Sequence, residues 1–225
     1  MGLLIKLSNK KIEDLEIYFE FTVDKILEGK LIAFPTNSVY GIGGNPFDKN
    51  LINRIYEIKY RDRDKGFLLL VADLEEAKKI AEFNKEAEIL AKKYWPGQLT
   101  LILKQKPENK FPPELTANQQ TIGLRVPENK IILTILGYLK KRGSFGGIIG
   151  TSANFSGEPP ATDAEEISKN FFGLIDLIID GGESKSKIPT TIVDCTGKEL
   201  RFLREGKISK EEILNYLKEY KGGIE

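Results

Sequence analysis

The chain has 225 residues, of which 40% are apolar and 30% charged, a balance that is typical of one globular domain. It contains no histidine, which excludes Ser-His-Asp and Cys-His triads, histidine general bases and histidine metal ligands. The formal net charge of +1 gives no global field that would attract a polyanion, so any anion site must come from local clusters of charge.

The first half of the chain predicts alternating helices and strands. The predicted elements are a helix over 11–29, a strand at Leu31–Phe34, a helix over 49–60, a strand at Phe67–Ala72 and a helix from Asp73 to about Tyr94. The N-terminal Met1–Lys6 has neither the charged start nor the cleavage site of a secretory signal. The longest apolar runs are far shorter than the roughly 20 residues of a membrane-spanning helix, so we expect a cytoplasmic protein.

The second half continues this alternation. The predicted elements are strands at Leu99–Leu103, Thr121–Val126, Gly146–Gly150, Leu177–Asp180, 190–195 and 200–203, helices over 130–142, 163–172 and 209–220, and loops over 105–119, 151–162 and Gly181–Pro189. The single cysteine, Cys195, excludes an intramolecular disulfide, and its place in an apolar strand favours a buried, inert thiol over a nucleophile. We therefore predict one α/β domain over residues 1–225, with a mixed, partly parallel sheet and flanking helices. The pattern does not give the strand order.

The segment Pro35–Gly43 follows a predicted buried strand and is rich in hydroxyl groups and glycines. Loops after strands carry ligand sites in α/β folds, so this segment could line a small-molecule site; the alternative is a turn with local capping. The cluster Gly41–Gly44 lacks the spacing of a dinucleotide-binding loop, and the chain has no Walker A motif. A glycine cluster that matches no motif predicts a turn.

The segment Lys59–Lys65 concentrates charge. If its backbone is extended, Lys59 and Arg61 share one side, and two close cations repel each other unless an anion lies between them. The alternative is a solvated loop in which Asp62 and Asp64 are the ionic partners, and the residues alone favour it.

The segment Gly150–Gly157 carries hydroxyl and amide groups and precedes a predicted helix capped by Thr162 or Asp163. A loop ahead of a helix N-terminus suits a phosphate or a carboxylate. Ordinary capping chemistry gives the same pattern, and the residues alone favour that reading.

Taken together, the motifs resemble the YrdC/TsaC family over about residues 20–210. The segments that carry the resemblance, in chain order, are Pro35–Gly43, Lys59 with Arg61, Trp95–Gly97 with Leu99–Thr100, Leu124–Pro127, Ser152 with Asn154, Thr190–Asp194 and Leu203–Gly206. Each motif is weak alone, but seven in the same order and with sensible spacing are a specific signal.

The resemblance implies a twisted α/β sheet, YrdC-like, with a concave and positively lined cavity. It implies a nucleotidyltransferase that joins L-threonine, bicarbonate and ATP into threonylcarbamoyl-AMP and releases pyrophosphate. The product would serve the threonylcarbamoyladenosine modification of tRNA, with partner proteins of a transferase complex carrying out the transfer. Mg²⁺ would arrive with ATP, held by phosphate oxygens and water, and no dedicated metal site is expected. Direct contact with tRNA and the oligomeric state are left open.

The family's functional residues map onto this chain by position. The implied ATP contacts are Lys59, Arg61, Lys65, Thr121, Asn154, Thr162 and Arg204, of which Lys59 and Arg61 would also be catalytic. The implied L-threonine contacts are Ser38, Arg125, Ser152 and Thr190. The planar fork of Arg125 suits a carboxylate because it can bind both oxygens.

The chain departs from the family pattern at several positions. Asp62 replaces the usual proline, Ser38 replaces a common threonine, and Thr190 with Thr191 replaces a Ser-Thr pair. Leu70 lies near the position of a histidine that many longer relatives carry, so the chain resembles the short form of the family there. Because the sequence ends soon after Arg204, we expect no additional C-terminal domain.

Two other functions remain open at this point. One is a divergent paralogue with a different carbamoyl-adenylate activity. The other is a non-enzymatic RNA-binding protein, which the near-neutral net charge and the lack of an aromatic stacking motif disfavour. Release of pyrophosphate from ATP would separate these classes.

Overall fold

The computed structural model describes residues 2–8, 11–184, 186 and 188–222. Among these residues the strands are β1 Leu3–Lys6, β2 Ile32–Phe34, β3 Gly41–Gly43, β4 Leu68–Val71, β5 Ala81–Glu82, β6 Leu99–Gln105, β7 Thr121–Arg125, β8 Gly147–Ser152, β9 Leu177–Asp180, β10 Thr191–Asp194 and β11 Arg201–Arg204. The helices are α1 Glu16–Leu27, α2 Lys49–Lys59, α3 Leu74–Ile80, α4 Lys85–Tyr94, α5 Lys130–Lys141, α6 Ala164–Asn170 and α7 Lys210–Gly222. Short 3-10 helices cover Ile12–Leu15 and Pro113–Thr116.

Side-chain caps fix where most of these helices begin. The capping residues of α2 to α6, in order, are Asp48, Asp73, Asn84, Asn129 and Asp163. In each case a side-chain oxygen accepts a hydrogen bond from a backbone N–H of the first turn, which satisfies a donor that the helix itself leaves free.

The strands form one mixed sheet in the order β1-β9-β2-β3-β8-β4-β7-β6-β10-β11, with β5 beside β6. Parallel pairs such as β4 with β7 and β6 with β10 alternate with antiparallel pairs such as β3 with β8 and β6 with β7. The predicted α/β fold with a mixed sheet and flanking helices is therefore confirmed.

Helices cover both faces of the sheet. On β4, Leu70 packs with α1 and α5, whereas its neighbour Leu69 packs in the core formed with α2, α3, α4, α6 and α7. On β8, Ile148 packs in the cluster with Leu70, and Ile149 packs in the cluster with Leu69. Because successive side chains of a strand point to opposite faces, the two clusters lie on opposite sides of the sheet.

The α1/α5 layer covers only part of its face. In β6 and β7, the residues Leu101, Leu103, Ile122 and Leu124 belong to the core on the other side. The alternating residues between them therefore face the side of α1 and α5, beyond the part of the sheet that these two helices cover. A concave, open surface results there.

Two predicted elements were wrong in type or extent. The helix predicted from Asp73 to Tyr94 is broken, because residues Ala81–Glu82 pair with the end of β6 and Asn84 caps a new helix. The predicted turn at Gly41–Gly44 contains strand β3 in the middle of the sheet. In addition, β8 extends to Ser152 into the predicted loop over 151–162. The predicted loop Gly181–Pro189 includes residues 185 and 187, which lie outside the described residues.

Gly43 of β3 allows this strand to pack against β8. A Cβ added at Gly43 would lie 1.7 Å from the carbonyl oxygen of Ile149, which is backbone and cannot rotate away. We expect Gly43→Ala to destabilise the protein by about 3 kcal/mol or more, since the two strands must separate.

Gly137→Ala is the matched control for this prediction. Gly137 lies on the exposed side of α5, and an added Cβ there meets nothing within 4 Å. This variant should be more stable by about 0.5–1 kcal/mol, because alanine favours the helix. Urea unfolding measures both, and equal stabilities for the two variants would refute the account of the β3–β8 contact.

No helix among the described residues is both long enough and apolar enough to cross a bilayer.

Candidate active site

A cavity of about 630 Å³ lies on the open part of the sheet face. Strand alternation explains the central part of its lining, because it takes every second residue from β4, β6 and β7. These residues are Leu68 and Leu70 of β4, Thr100 and Ile102 of β6, and Thr121, Gly123 and Arg125 of β7. The consecutive residues Gly150–Ser152 of β8 and residue Ile192 of β10 also line the cavity. The lining also includes Thr36, Ser38–Gly41, Pro189–Thr190 and Arg204.

Three arginines, Arg61, Arg125 and Arg204, line this cavity, and its described lining contains no Asp or Glu. Within the part of the chain that the structure describes, none of the three lies within 4.0 Å of a carboxylate. Backbone carbonyls orient the three guanidinium groups without neutralising their charge. Such a cavity favours an anionic ligand.

Arg125, the last residue of β7, is the most buried of the three at 5% exposure. Its Nε donates to the carbonyl of Gly97 at 2.9 Å, and its terminal nitrogen donates to the side-chain oxygen of Asn37. Burial, together with the nearby charge of Arg204, lowers the pKa of Arg125 to about 10. These two bonds use two of its five N–H groups, which leaves three for a ligand.

Arg204 is held against Thr190. Its Nε donates to the carbonyl of Thr190 and a terminal nitrogen donates to the hydroxyl of the same residue, both at 2.8 Å. That hydroxyl also lies 3.1 Å from the hydroxyl of Thr100. Burial lowers the pKa of Arg204. The result is a cation beside two hydroxyl groups in the lining of the cavity.

Arg61 is oriented in a similar way at another part of the lining. Its Nε donates to the carbonyl of Lys65 at 3.0 Å, a terminal nitrogen donates to the carbonyl of Gly66 at 2.7 Å, and its guanidinium lies 5.0 Å from the ring centre of Phe67. Burial lowers the pKa of Arg61. Its direction is thus set before any ligand binds.

Two hydroxyl-bearing segments complete the site. In the turn between β2 and β3, the Thr36 hydroxyl donates to the carbonyl of Val39 at 2.7 Å and lies 3.1 Å from the hydroxyl of Ser38. After β8, the Ser152 hydroxyl donates to the side-chain oxygen of Asn154 at 2.5 Å. Both Ser38 and Ser152 line the cavity.

The structure brings most of the predicted site residues together. Those lining the cavity are Ser38, Arg61, Thr121, Arg125, Ser152, Asn154, Thr190 and Arg204. The other three, Lys59, Lys65 and Thr162, are not part of the lining. Lys65 is exposed and lies 3.7 Å from the carboxylate of Asp62, and the backbone N–H of Thr162 donates to Glu166 at 2.7 Å.

The backbone is not extended between Lys59 and Arg61, so the condition under which the two cations would share one side is not met. Lys59 is the last residue of α2, and Tyr60 has a left-handed backbone with a φ of 50°. Lys59 is 2% exposed, and its ammonium donates to the carbonyls of Ser152 and Asn154. Burial, followed by the charge of Arg61, lowers the pKa of Lys59 to about 7.

Sequence reasoning missed three residues that support the site. Asn37 accepts from Arg125, Gln98 donates to the carbonyl of Asn37 at 2.5 Å, and Thr100 contacts Thr190. Asn37 and Thr100 lie inside the segments that carry the family resemblance, so their positions gave a signal. Gln98 lies between two of these segments and belongs to neither, so the sequence holds no direct signal for it. In the structure it follows Gly97, whose carbonyl accepts a hydrogen bond from Arg125.

Cys195 is 4% exposed and follows β10 directly. Burial, with a contribution from Asp194, raises the pKa of its thiol to about 12. The predicted burial of Cys195 is confirmed, and we expect native protein at pH 8 to resist a thiol-reactive dye that labels it fully after unfolding in guanidinium. Stoichiometric labelling of folded protein within minutes would contradict this.

The fold and site define an α/β domain with an arginine-lined cavity on the open face of its sheet, and comparison with known proteins narrows this class. The Sua5/YciO/YrdC family model, described as "telomere recombination", matches residues 24–206. The chain belongs to this family, which confirms the resemblance seen in the sequence.

Sequence relatives support the assignment to this family. The threonylcarbamoyl-AMP synthase of Pyrococcus abyssi is 39% identical over 190 residues, which cover 84% of this chain and 54% of the relative. The enzyme of the same name from Bacillus subtilis is 35% identical over 83% of this chain and 52% of its own length. The chain thus spans about half the length of these curated relatives.

Solved structures agree with the fold. The crystal structure of P. abyssi Sua5 complexed with L-threonine matches with a TM-score of 0.85 at 35% identity, over 95% of this chain and 60% of that chain. The crystal structure of Escherichia coli YciO matches with a TM-score of 0.79 at 30% identity, over 95% of this chain and 98% of that chain.

Proposed function

We propose that this protein synthesises threonylcarbamoyl-AMP from ATP, L-threonine and bicarbonate and releases pyrophosphate. The observation that carries the proposal is the cavity in which Arg61, Arg125 and Arg204 lie without a carboxylate partner among the described residues, next to several hydroxyl groups. The names of the P. abyssi and B. subtilis relatives support the same reaction. The L-threonine bound by P. abyssi Sua5 supports an amino acid as one substrate.

Different residues of the cavity suit different parts of the reactants. Arg125, beside Ser38, would bind the threonine carboxylate through its remaining N–H groups, with Ser152 and Thr190 near the carbamate. Arg61 would bind the ATP phosphates, with Thr121, Asn154 and Arg204 in the rest of the nucleotide site. Lys65 and Thr162 stay candidates for ATP contact by family resemblance, although neither lines the cavity.

The chemistry needs few groups from the protein. The threonine amine forms an N–C bond to CO2 and loses a proton, or to bicarbonate with loss of water; the product is a carbamate, whose oxygen is already a nucleophile. That oxygen attacks the α-phosphorus of ATP, the bond to the β-phosphate oxygen breaks, and pyrophosphate leaves with the electron pair. Positioning and charge neutralisation by fixed guanidinium groups supply the catalysis. The lack of histidine in the chain is compatible with this route.

A magnesium ion would accompany the ATP rather than occupy a site of the protein. Among the described residues, no group of three or more His, Cys, Asp or Glu side chains could hold a metal ion. Mg²⁺ prefers carboxylate oxygens, phosphate oxygens and water, and the described lining of the cavity offers only the hydroxyl and carbonyl oxygens of neutral residues. The residues present therefore do not form its ligand set.

We further propose that the product feeds the threonylcarbamoyladenosine modification of tRNA, through partner proteins that transfer the group. The supporting observation is the name of the relatives. A cytoplasmic location follows from this proposal.

The test is pyrophosphate release by purified protein with ATP, Mg²⁺ and bicarbonate, comparing L-threonine, L-serine and no amino acid. We expect release that depends on threonine and is weaker with serine. Equal release without an amino acid would favour a paralogue with another carbamoyl-adenylate activity. No release, together with tight RNA binding, would replace the proposal with the RNA-binding function.

A further inference from the structure

Lys59 lies behind the cavity wall and not on it. It is among the largest side chains that are fully buried, and it does not belong to the lining, although Arg61, Ser152 and Asn154 do. Its ammonium lies 2.5 Å from the carbonyl oxygens of both Ser152 and Asn154, and 3.4 Å from the side-chain oxygen of Asn154.

A second link joins the same two segments. The backbone N–H of Ser156 donates to the carbonyl of Lys59 at 2.9 Å. Next to it, the rings of Tyr60 and Phe155 lie 6.0 Å apart. The end of α2 therefore holds the segment 152–156, which we call the β8 loop, through both its backbone and the Lys59 side chain.

The geometry leaves Lys59 no free donor for a phosphate. An ammonium group has three N–H bonds and no acceptor. Those three meet three oxygens of the β8 loop. Because two of these oxygens are backbone carbonyls, the hydrogen bonds from Lys59 fix the peptide groups of the loop on the side away from the cavity. The side chains of Ser152 and Asn154 are then presented to the cavity.

We infer that Lys59 is a positioning residue, which acts on the nucleotide site by fixing the β8 loop and not by touching ATP. Arg61, two residues further, is the residue of this segment that faces the ligand. The inference rests on the proposed function for its effect on catalysis, but its structural part can be tested without substrate.

The first test is hydrogen–deuterium exchange of the ligand-free protein, read from peptides that cover the β8 loop. In Lys59→Met, which keeps the length of the side chain but not its N–H donors, exchange of this loop should be about tenfold faster or more, since the hydrogen bonds to two carbonyls are lost. Peptides from β6 and β7 should stay as in the wild type. In Arg61→Met the loop should exchange as in the wild type.

The second test is kinetic and compares Lys59→Met in two proteins. One is otherwise wild type, and the other lacks the polar side chains of Ser152 and Asn154. In otherwise wild-type protein, Lys59→Met should lower kcat/KM for ATP by about tenfold or more. In protein carrying Ser152→Ala and Asn154→Ala, the same change should cost about threefold or less. Arg61→Met should cost the same factor in both backgrounds, because it acts on the ligand directly.

The outcomes separate the two claims. Unchanged loop exchange in Lys59→Met, or an equal kinetic cost in both backgrounds, would overturn the positioning role while leaving the proposed function in place. If the wild-type protein forms no threonine-dependent product but loop exchange is faster in Lys59→Met, the proposed function is overturned and the positioning role of Lys59 stands. If Lys59→Met does not fold, as judged by circular dichroism, Lys59→Gln replaces it, since it keeps an N–H donor without the charge.

Discussion

Replacing Arg125 by methionine is expected to lower threonine-dependent pyrophosphate release by about 10²–10³-fold, because a fixed and poorly solvated cation that meets a carboxylate is lost. Arg125 is 5% exposed and is oriented by Gly97 and Asn37, so its direction exists before the ligand arrives. The loss should appear mainly in KM for threonine. The affinity for ATP, measured by calorimetry without threonine, should change little.

Arg125→Lys is the matched variant for this prediction. It keeps the charge but not the planar fork, and we expect KM for threonine to rise by about tenfold or more. The methionine variant should fold, because it removes a buried charge that has no carboxylate partner among the described residues. A folded Arg125→Met protein with wild-type KM for threonine would show that this part of the cavity does not bind the amino acid.

Replacing Arg61 by methionine is expected to lower kcat/KM for ATP by about 10²-fold, since one charge directed at the phosphates is lost. Bonds to the carbonyls of Lys65 and Gly66 hold its guanidinium in place, so the wild-type protein spends little entropy on ordering it. Binding of pyrophosphate alone, measured by calorimetry, should weaken in parallel. KM for threonine should stay within about threefold of the wild type.

Arg63→Met is the control on the same segment. Arg63 is exposed, donates to the side chain of Asn53 at 2.7 Å and lies 3.9 Å from the carboxylate of Glu57. Because it does not line the cavity, its removal should change kcat/KM for ATP by about twofold or less. Equal losses in Arg61→Met and Arg63→Met would mean that net charge, and not the orientation of Arg61, governs ATP binding.

Local signals in the sequence predicted much of the fold. The helical spacing predicted the starts of two helices near residues 49 and 73, and the alternation of apolar segments predicted an α/β domain. The break at Asn84 was missed because the apolar residues keep a helical period across it. The pairing of residues 81–82 with β6, which ends the first helix, is a long-range contact that local periodicity does not contain.

Strand β3 is a second element that depends on a long-range contact which local sequence patterns do not contain. In the sequence, Gly41–Gly44 matches no phosphate-binding motif and indicates a turn. In the structure, Gly43 lies in the sheet because only a residue without a side chain fits against the backbone of Ile149. The partner strand is more than a hundred residues further along the chain, so no local pattern could indicate the contact.

The candidate site was predicted more completely by family resemblance than by the residues alone. Taken separately, the charged segment at 59–65 favoured a solvated loop, and the strand order that brings it close to Arg125 could not be read. Eight of the residues that family resemblance names line one cavity, but the resemblance could not show that Lys59 points away from it. Lys59 ends α2, and the left-handed backbone of Tyr60 redirects the chain before Arg61, which local sequence patterns did not indicate.

The most direct test of the central claim is mass spectrometry of the product formed from ATP, L-threonine and carbon-13-labelled bicarbonate. The proposed reaction predicts a threonylcarbamoyl-AMP mass that carries the label, requires threonine and is nearly lost in Arg125→Met and Arg61→Met. A folded, ATP-binding protein that yields no labelled, threonine-dependent adenylate would contradict the proposed function.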